Sequence, residues 1–198
     1  MLGAILLAAG ASTRMGTVKQ LLPWKGSTLL EHTIAQLNSS GVDHLVVVLG
    51  ENEHKISEKV SFEGIDVAVN TEWEKGMATS IASGLRFLLK KEPNLQSVLV
   101  ALSDQPLLDL KYYNKLINIK LKYNYKIAAS SYSGQFGVPA VFGRTHFDNL
   151  LNLKGQKGAR ALLRGGEAEV VSVTAGNLAV DLDTREKYDR IYEQHGRL

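Results

Sequence analysis

Residues 6–24 read LLAAGASTRMGTVKQLLPW, an apolar run that breaks into a loop of very small residues and then brings in two cations. Ala8, Ala9, Gly10 and Ala11 leave room for backbone N–H groups to approach a ligand, and Arg14 and Lys19 supply positive charge. Amide donors together with cations suit a triphosphate, whose oxygens need both hydrogen bonds and charge neutralisation. The loop is not a Walker A sequence, which needs GxxxxGKS or GxxxxGKT, and it is not the GxGxxG dinucleotide fingerprint. A structural turn with solvent-facing charges is the competing reading. Two glycines, two cations and the following LLP favour the phosphate loop.

Three further stretches carry residues fit for the same chemistry. In NTEWEKGMATSIASGL, residues 70–85, Asn70 ends a strand, Gly76 permits close approach, and Thr79 and Ser80 open a helix. Hydroxyls and amides at a helix start can read a base edge or a ribose, although a plain helix cap explains Thr79 or Ser80 equally well. In VLVALSDQP, Asp104 directly follows an apolar run and is fixed by Pro106; it suits Mg²⁺, which takes one or two carboxylates and completes its shell with phosphate oxygens. Asp-x-Pro also starts ordinary turns. In AVDLDTREKYDRIY, Asp183 with Glu186 reads as a capping box for the last helix. That leaves Asp181 to join Asp104 around a metal, or to stand solvated at a strand end. A fifth stretch, FGVPAVFG followed by KGQKGARALL, offers Gly137, Pro139, Lys157 and Arg160 to a second anionic substrate, or to solvent along one side of a short helix.

These residues need elements to hold them. Apolar runs typical of buried strands recur at 3–8, 44–50, 65–69, 97–102, 126–130, 138–142 and 169–173. Helical spacing fills 28–40, 52–60, 78–91, 109–122, 145–151, 157–164 and 184–194. Such alternation predicts a largely parallel sheet covered on both faces, in one domain over 1–198. Two strand candidates within 126–142 lack an intervening helix, which predicts one antiparallel pairing near an edge. Ligands in open sheets of this kind sit beyond the carboxyl ends of the strands. Segments 9–20, 70–80, 103–106 and 181–184 all follow strands and can share one crevice.

Composition narrows the chemistry. The sequence has no cysteine, which excludes disulfides, thiolate catalysis and cysteine-held zinc. His32, His44, His54, His146 and His195 are scattered without metal-ligand spacing, and no GxSxG elbow accompanies a triad. A net charge of +3 without a basic stripe fits a small anion better than a nucleic acid. The apolar start is too short to cross a membrane and lacks the basic lead-in of a signal peptide, so a cytoplasmic protein is expected. Trp24 and Trp73 each sit in a ligand-loop candidate, where they could wall the crevice or pack in the core.

LAAGASTRMGTVKQLLPW, followed in order by NTEWEKGMATSIASGL, LSDQP, GVPAVF, KGQKGARALL and VDLDT, resembles the MobA-like NTP transferases, and more narrowly the molybdenum cofactor cytidylyltransferases. The resemblance spans nearly the whole chain, and LAAG in place of LAGG is the form of the cytidylyl branch. It implies a three-layer α/β/α sandwich, a Rossmann-like nucleotidyltransferase fold with a mostly parallel mixed sheet and one reversed strand. It implies transfer of CMP from CTP (or GMP from GTP in the sister branch) to the terminal phosphate of molybdopterin, with release of pyrophosphate. Leu7, Ala8, Ala9 and Gly10 would lie against the nucleotide, Arg14 and Lys19 would hold its phosphates, and Asn70, Gly76 and Ser80 would help recognise base and ribose. Asp104 and Asp181 would ligate Mg²⁺, leaving Arg14, Lys19 and Asp104 as the catalytic set. Gly137, Pro139, Lys157 and Arg160 would receive the acceptor.

An acceptor phosphate is already anionic near neutral pH, so no strong general base is required, and positioning and charge neutralisation suffice. The chain departs from the family pattern at Gln156, where GDKGAR is common, at Val138, where His or Asn is common, and at Arg185, where proline is common. The first two lie where the acceptor would sit. Two alternatives follow: a nucleotidyltransferase acting on a sugar or alditol phosphate, and a non-catalytic accessory protein that carries molybdopterin to a molybdenum hydroxylase.

Overall fold

The first strand, β1 (Leu2–Leu7), is buried along its whole length, and its side chains alternate between two cores. Leu2, Ala4 and Leu6 face one layer of helices, and Ile5 and Leu7 face the other. A period of two with both faces apolar is what a central strand of a covered sheet requires. The structure is a computed structural model that describes residues 1–123, 127–132, 134–156, 158–165 and 170–197; of Tyr123 and Gly165 it describes the backbone only.

The remaining elements are, in chain order, the hairpin strands β2 (Pro23–Trp24) and β3 (Ser27–Thr28), α1 (Leu29–Asn38), β4 (His44–Leu49), α2 (Glu53–Ser57), β5 (Asp66–Val69), α3 (Met77–Lys91), β6 (Ser97–Leu102), α4 (Leu110–Tyr123), β7 (Ile127–Tyr132), β8 (Gln135–Gly143), α5 (Phe147–Leu151), α6 (Arg160–Gly165), β9 (Val170–Thr174) and α7 (Arg185–Ile191). The seven-stranded sheet has the order β5-β4-β1-β6-β8-β7-β9. All its pairings are parallel except those of β8, which runs against both β6 and β7. Helices α1 and α4 contribute Leu30, Ile34, Leu37, Tyr113 and Leu116 to one core. Helices α3 and α5 contribute Ile81, Leu85, Leu88, Phe147 and Leu150 to the other. The result is the expected α/β/α sandwich.

One antiparallel pairing was expected near an edge; the β7–β8 pair lies there, next to the edge strand β9, but β8 makes a second antiparallel pairing, with β6. The reason is visible in its side chains. From Gly137 to Gly143 every residue of β8 is buried, and an edge would leave part of that run in water.

Helix α3 shows how closely its layer is packed. Its apolar positions Ala78, Ile81, Ala82, Leu85 and Leu88 follow helical spacing, and Gly84 sits directly on the sheet. A Cβ at Gly84 would lie 2.6 Å from Ile5 Cγ2 and 2.9 Å from Val48 Cγ2. A third, smaller core joins the β2–β3 hairpin to the C-terminal helix through Met15, Leu22, Trp24, Leu29, Leu182, Tyr188 and Ile191. Trp24 is therefore a core residue. Helix α7 is shorter than expected and continues as a π-helical turn over Tyr192–Gly196, whose Gly196 carbonyl accepts from the Lys25 N–H at 2.6 Å.

After β1 the chain turns to β4 and β5 on one side, then crosses over to β6 on the other. The parallel neighbours β1 and β6 end side by side at that switch point, their following loops lead to α1 and α4 in the same core, and a crevice forms at their carboxyl ends.

Candidate active site

A cavity of about 620 Å³ fills this crevice, within the range of small-molecule sites. Its walls include Leu7, Ala8, Ala9, Gly10, Ala11, Arg14 and Lys19 from the loop after β1. Trp73, Gly76 and Ser80 come from the segment after β5, and Asp104 follows β6. Asp181 and Asp183 line it too, and Tyr132, Val138, Gln156 and Arg160 close the far side. The four segments picked out by residue chemistry do converge.

The charged centre is built from three loops. Lys19 starts a tight turn over Lys19–Leu21, and its ammonium donates to Asp104 Oδ2 and, at 3.3 Å, to Asp183 Oδ1. Arg14 Nη2 lies 3.8 Å from Asp183 Oδ2, with its side chain largely in solvent. Asp183 was expected to cap the last helix. Instead Thr184 is the N-cap, accepting from the Lys187 N–H at 3.3 Å, and Asp183 is left to the cations.

Backbone geometry explains how both acids reach the cavity. The Leu182 N–H donates to the Asp104 carbonyl at 2.9 Å, and the Leu182 side chain is wholly buried in the third core. In an extended segment neighbours point to opposite faces, so Asp181 and Asp183 turn together toward the cavity. Asp181 Oδ1 accepts from Gln105 Nε2 at 2.7 Å, which fixes its carboxylate.

Burial pushes the Asp104 carboxyl above the usual carboxylate range; Lys19 pulls against that, and Asp181 and Asp183 add to it. Burial alone would lower the Lys19 ammonium, but Asp104 beside it and then Asp183 outweigh burial and hold its pKa above the ordinary lysine value. Asp104 Oδ1 is buried without a hydrogen-bond partner. Among the described residues no group of three or more acids and histidines could hold a metal by side chains alone. A divalent cation held by Asp104 and Asp181 with substrate oxygens completing its shell fits this donor set, because it would use the orphaned Oδ1.

Other expected residues divide. Asn70 is buried behind the wall, donating to Thr79 Oγ1 at 2.8 Å and Ser80 Oγ at 2.9 Å, so it holds Ser80 and does not itself line the cavity. Neither hydroxyl caps α3; Gly76 occupies the N-cap position with no side-chain cap. The close approach that Gly76 permits is to the protein's own turn, since a Cβ there would lie 2.7 Å from the Gly155 carbonyl oxygen, and φ is 106°. Trp73 is a cavity wall.

In the acceptor set, Arg160 lines the cavity and its Nη2 approaches Tyr132 Oη at 3.4 Å. Gly137 and Pro139 flank the wall residue Val138 without lining the wall themselves. A Cβ on Gly137 would sit 1.9 Å from Tyr132 Oη, so the glycine makes room for that ring. Lys157 lies outside the described residues. Tyr132, Gln20, Gln105 and Asn52 were not anticipated, and only the motif neighbours of Gln20 and Gln105 gave any signal for them.

Residues 4–172 match the model of the MobA-like NTP transferase domain. The chain belongs to the MobA-like NTP transferase family. It is 32% identical to the purine catabolism protein PucB of Bacillus subtilis and 30% identical to the nicotine blue oxidoreductase of Paenarthrobacter nicotinovorans, each over 94% of both chains. The molybdenum cofactor cytidylyltransferase of Escherichia coli is 22% identical over 96% of this chain and 95% of its own. Among solved structures, Rv0371c of Mycobacterium tuberculosis superposes with a TM-score of 0.84 at 30% identity, covering 97% of each chain. A structure of Rv0371C in complex with manganese gives 0.78 at 28% identity, covering 97% of this chain and 98% of that one. The expected fold and the nucleotidyltransferase family hold. These MobA-like relatives carry names from different reaction classes, so the reaction has to be argued from the side chains.

Proposed function

We propose that this family member transfers CMP from CTP to the terminal phosphate of a molybdopterin-type acceptor and releases pyrophosphate. The observation that carries the reading is the Asp104–Lys19–Asp183 cluster, set in one cavity beside a loop of unencumbered backbone. Phosphoryl transfer asks little covalent chemistry of a protein; it asks that anions be brought together and their charge offset.

The loop from Ala9 to Ser12 would receive the triphosphate on its amides, the Ala8 N–H being taken by the Val48 carbonyl, with Arg14 and Lys19 supplying charge. An oxygen of the acceptor phosphate attacks the α-phosphorus, a P–O bond forms, and the bond to the β-phosphate oxygen breaks, its electrons leaving with pyrophosphate. No proton has to be removed from an anionic nucleophile, so a wall without histidine among the described residues is consistent with the reaction. Asp104 and Asp181 would hold Mg²⁺, which when bound neutralises phosphate charge. Gln105 keeps Asp181 oriented for that role. Arg160 and Tyr132, on the opposite wall, would face the acceptor.

The similarity to a cytidylyltransferase supports the choice of nucleotide and acceptor. The neutral Gln156 and Val138 in the acceptor wall favour testing a sugar or alditol phosphate beside it. The protein is incubated with CTP, GTP or ATP, with and without Mg²⁺, and with molybdopterin or a sugar phosphate, and pyrophosphate is measured. Release that requires CTP, Mg²⁺ and molybdopterin supports the proposal. Release with a sugar phosphate alone moves the acceptor. Binding of molybdopterin without any release supports a carrier that serves a molybdenum hydroxylase.

A further inference from the structure

We propose that Gln20, assisted by Asn52, is a positioning residue that aims the backbone N–H groups of the loop after β1 at the anion. The inference rests on the nucleotide site proposed above and names what makes it work.

Gln20 is a polar side chain 1% exposed, folded back beneath a loop that precedes it in sequence. Its Nε2 donates to the carbonyl of Ala8 at 2.8 Å and to that of Gly10 at 3.2 Å. Its Oε1 accepts from Ser12 Oγ at 3.1 Å, and Ser12 Oγ in turn accepts from the Lys19 N–H at 3.2 Å. Asn52, also buried, donates to the Ala11 carbonyl at 3.4 Å. Three carbonyls of the loop are thus held by two side-chain amides.

The peptide unit is planar and trans, so its C=O and N–H point in opposite directions. Holding the carbonyls of Ala8, Gly10 and Ala11 therefore turns the N–H groups of Ala9, Ala11 and Ser12 the other way. Ala9 and Ala11 line the cavity. Among the described residues these three N–H groups donate to no loop or turn carbonyl, and they lie outside every helix and strand. A run of aligned N–H groups in a loop is an anion-binding concavity. Without the carboxamides nothing prevents the peptides from rotating their carbonyls toward the cavity, where they would repel phosphate.

The same turn places both parts of the site. Lys19 and Gln20 are neighbours in it, one directed at Asp104 and Asp183, the other beneath the loop. Ser12 completes the ring at a φ of 57°, a left-handed conformation uncommon for a serine, held by the bonds of its hydroxyl.

The test is calorimetric binding of inorganic tripolyphosphate, which needs neither base nor acceptor, to wild type, Gln20→Met and Ser12→Ala, with the melting temperature of each variant measured alongside. Gln20→Met keeps the side-chain length and apolar stem and removes both donors and the acceptor. Ser12→Ala is the milder change and decides the matter if Gln20→Met does not fold. Both folded variants are expected to bind tripolyphosphate more weakly, Gln20→Met by roughly tenfold or more, and Ser12→Ala is expected to lower the melting temperature less than Gln20→Met does. A merely structural role would lower the melting temperature and spare the affinity of the folded protein. Folded variants that bind as wild type does overturn this inference and leave the nucleotide site standing. Wild type that binds neither tripolyphosphate nor any nucleoside triphosphate overturns both.

Discussion

Lys19 offsets the charge of two acids, and its removal should be felt first in stability. It touches Asp104 and Asp183, and the Lys19 and Asp104 side chains are each 14% exposed. Removing one partner of a buried pair leaves an uncompensated charge. Lys19→Met is therefore expected to cost about 3 kcal/mol, read as a lower urea midpoint at unchanged slope; an unchanged midpoint would count against the pairing. Gly10 makes the opposite case. A Cβ there would meet nothing within 4 Å, and its backbone is not left-handed. Gly10→Val is expected to change stability by less than about 0.5 kcal/mol while weakening CTP binding severalfold, because the new side chain would occupy ligand space. If the variant binds CTP normally, the ligand does not pass over Gly10. Arg14, Lys19, Asp104 and Asp181 were legible as residues because charge on small-residue loops after strands has few other uses. Asp183 was misread because its spacing to Glu186 imitates a cap, and only the folded chain shows Lys19 taking it. Gln20 and Asn52 could not have been chosen, since a carboxamide's role depends on which carbonyl returns to it.

At the scale of elements, helix α3 sets how far Ser80 and Gly76 stand from the sheet. Gly84 is the contact that fixes that distance, with Ile5 and Val48 against it. Gly84→Ala is expected to cost about 1–3 kcal/mol from overpacking, with Ser83→Ala nearby as a mild control. Equal denaturation midpoints for the two variants would contradict the close packing. Strands and helices were readable because continuous apolar runs and amphipathic stretches alternate along the chain everywhere but at 126–142. The β2–β3 hairpin was not, because strands of two residues show no period, and its turn over Lys25 and Gly26, both at positive φ, lacks the usual Asn-Gly or Asp-Gly signature. The flanking of β8 on both sides was present in the sequence as FGVPAVFG, an unbroken apolar run that a second antiparallel partner buries.

For the whole molecule, the third core ties the loop bearing Arg14 and Lys19, the segment bearing Asp181 and Asp183, and helix α7 into one unit. His32 of α1 lies beside it, with ring centroid 6.2 Å from that of Trp24. Burial, then Lys25, lowers its pKa below the ordinary 6.5, against a hydrogen bond to the Pro106 carbonyl. The folded state thus binds fewer protons at this site than the unfolded chain. Its contribution to stability is present above the unfolded pKa and is lost as pH falls through the folded one. Urea midpoints measured from pH 7.5 down to pH 5 are expected to fall less for His32→Gln than for wild type. Identical slopes would show that His32 is not the group responsible. No described helix is long and apolar enough to cross a membrane.

The most direct measurement is a crystal structure of the protein grown with CTP and Mg²⁺. The triphosphate is predicted to lie on the amides of residues 9–12, with Lys19 and Arg14 on its oxygens and Asp104 and Asp181 on the metal. A nucleotide bound elsewhere, with Lys19 still enclosed by Asp104 and Asp183 and the loop in contact with water alone, would contradict the account.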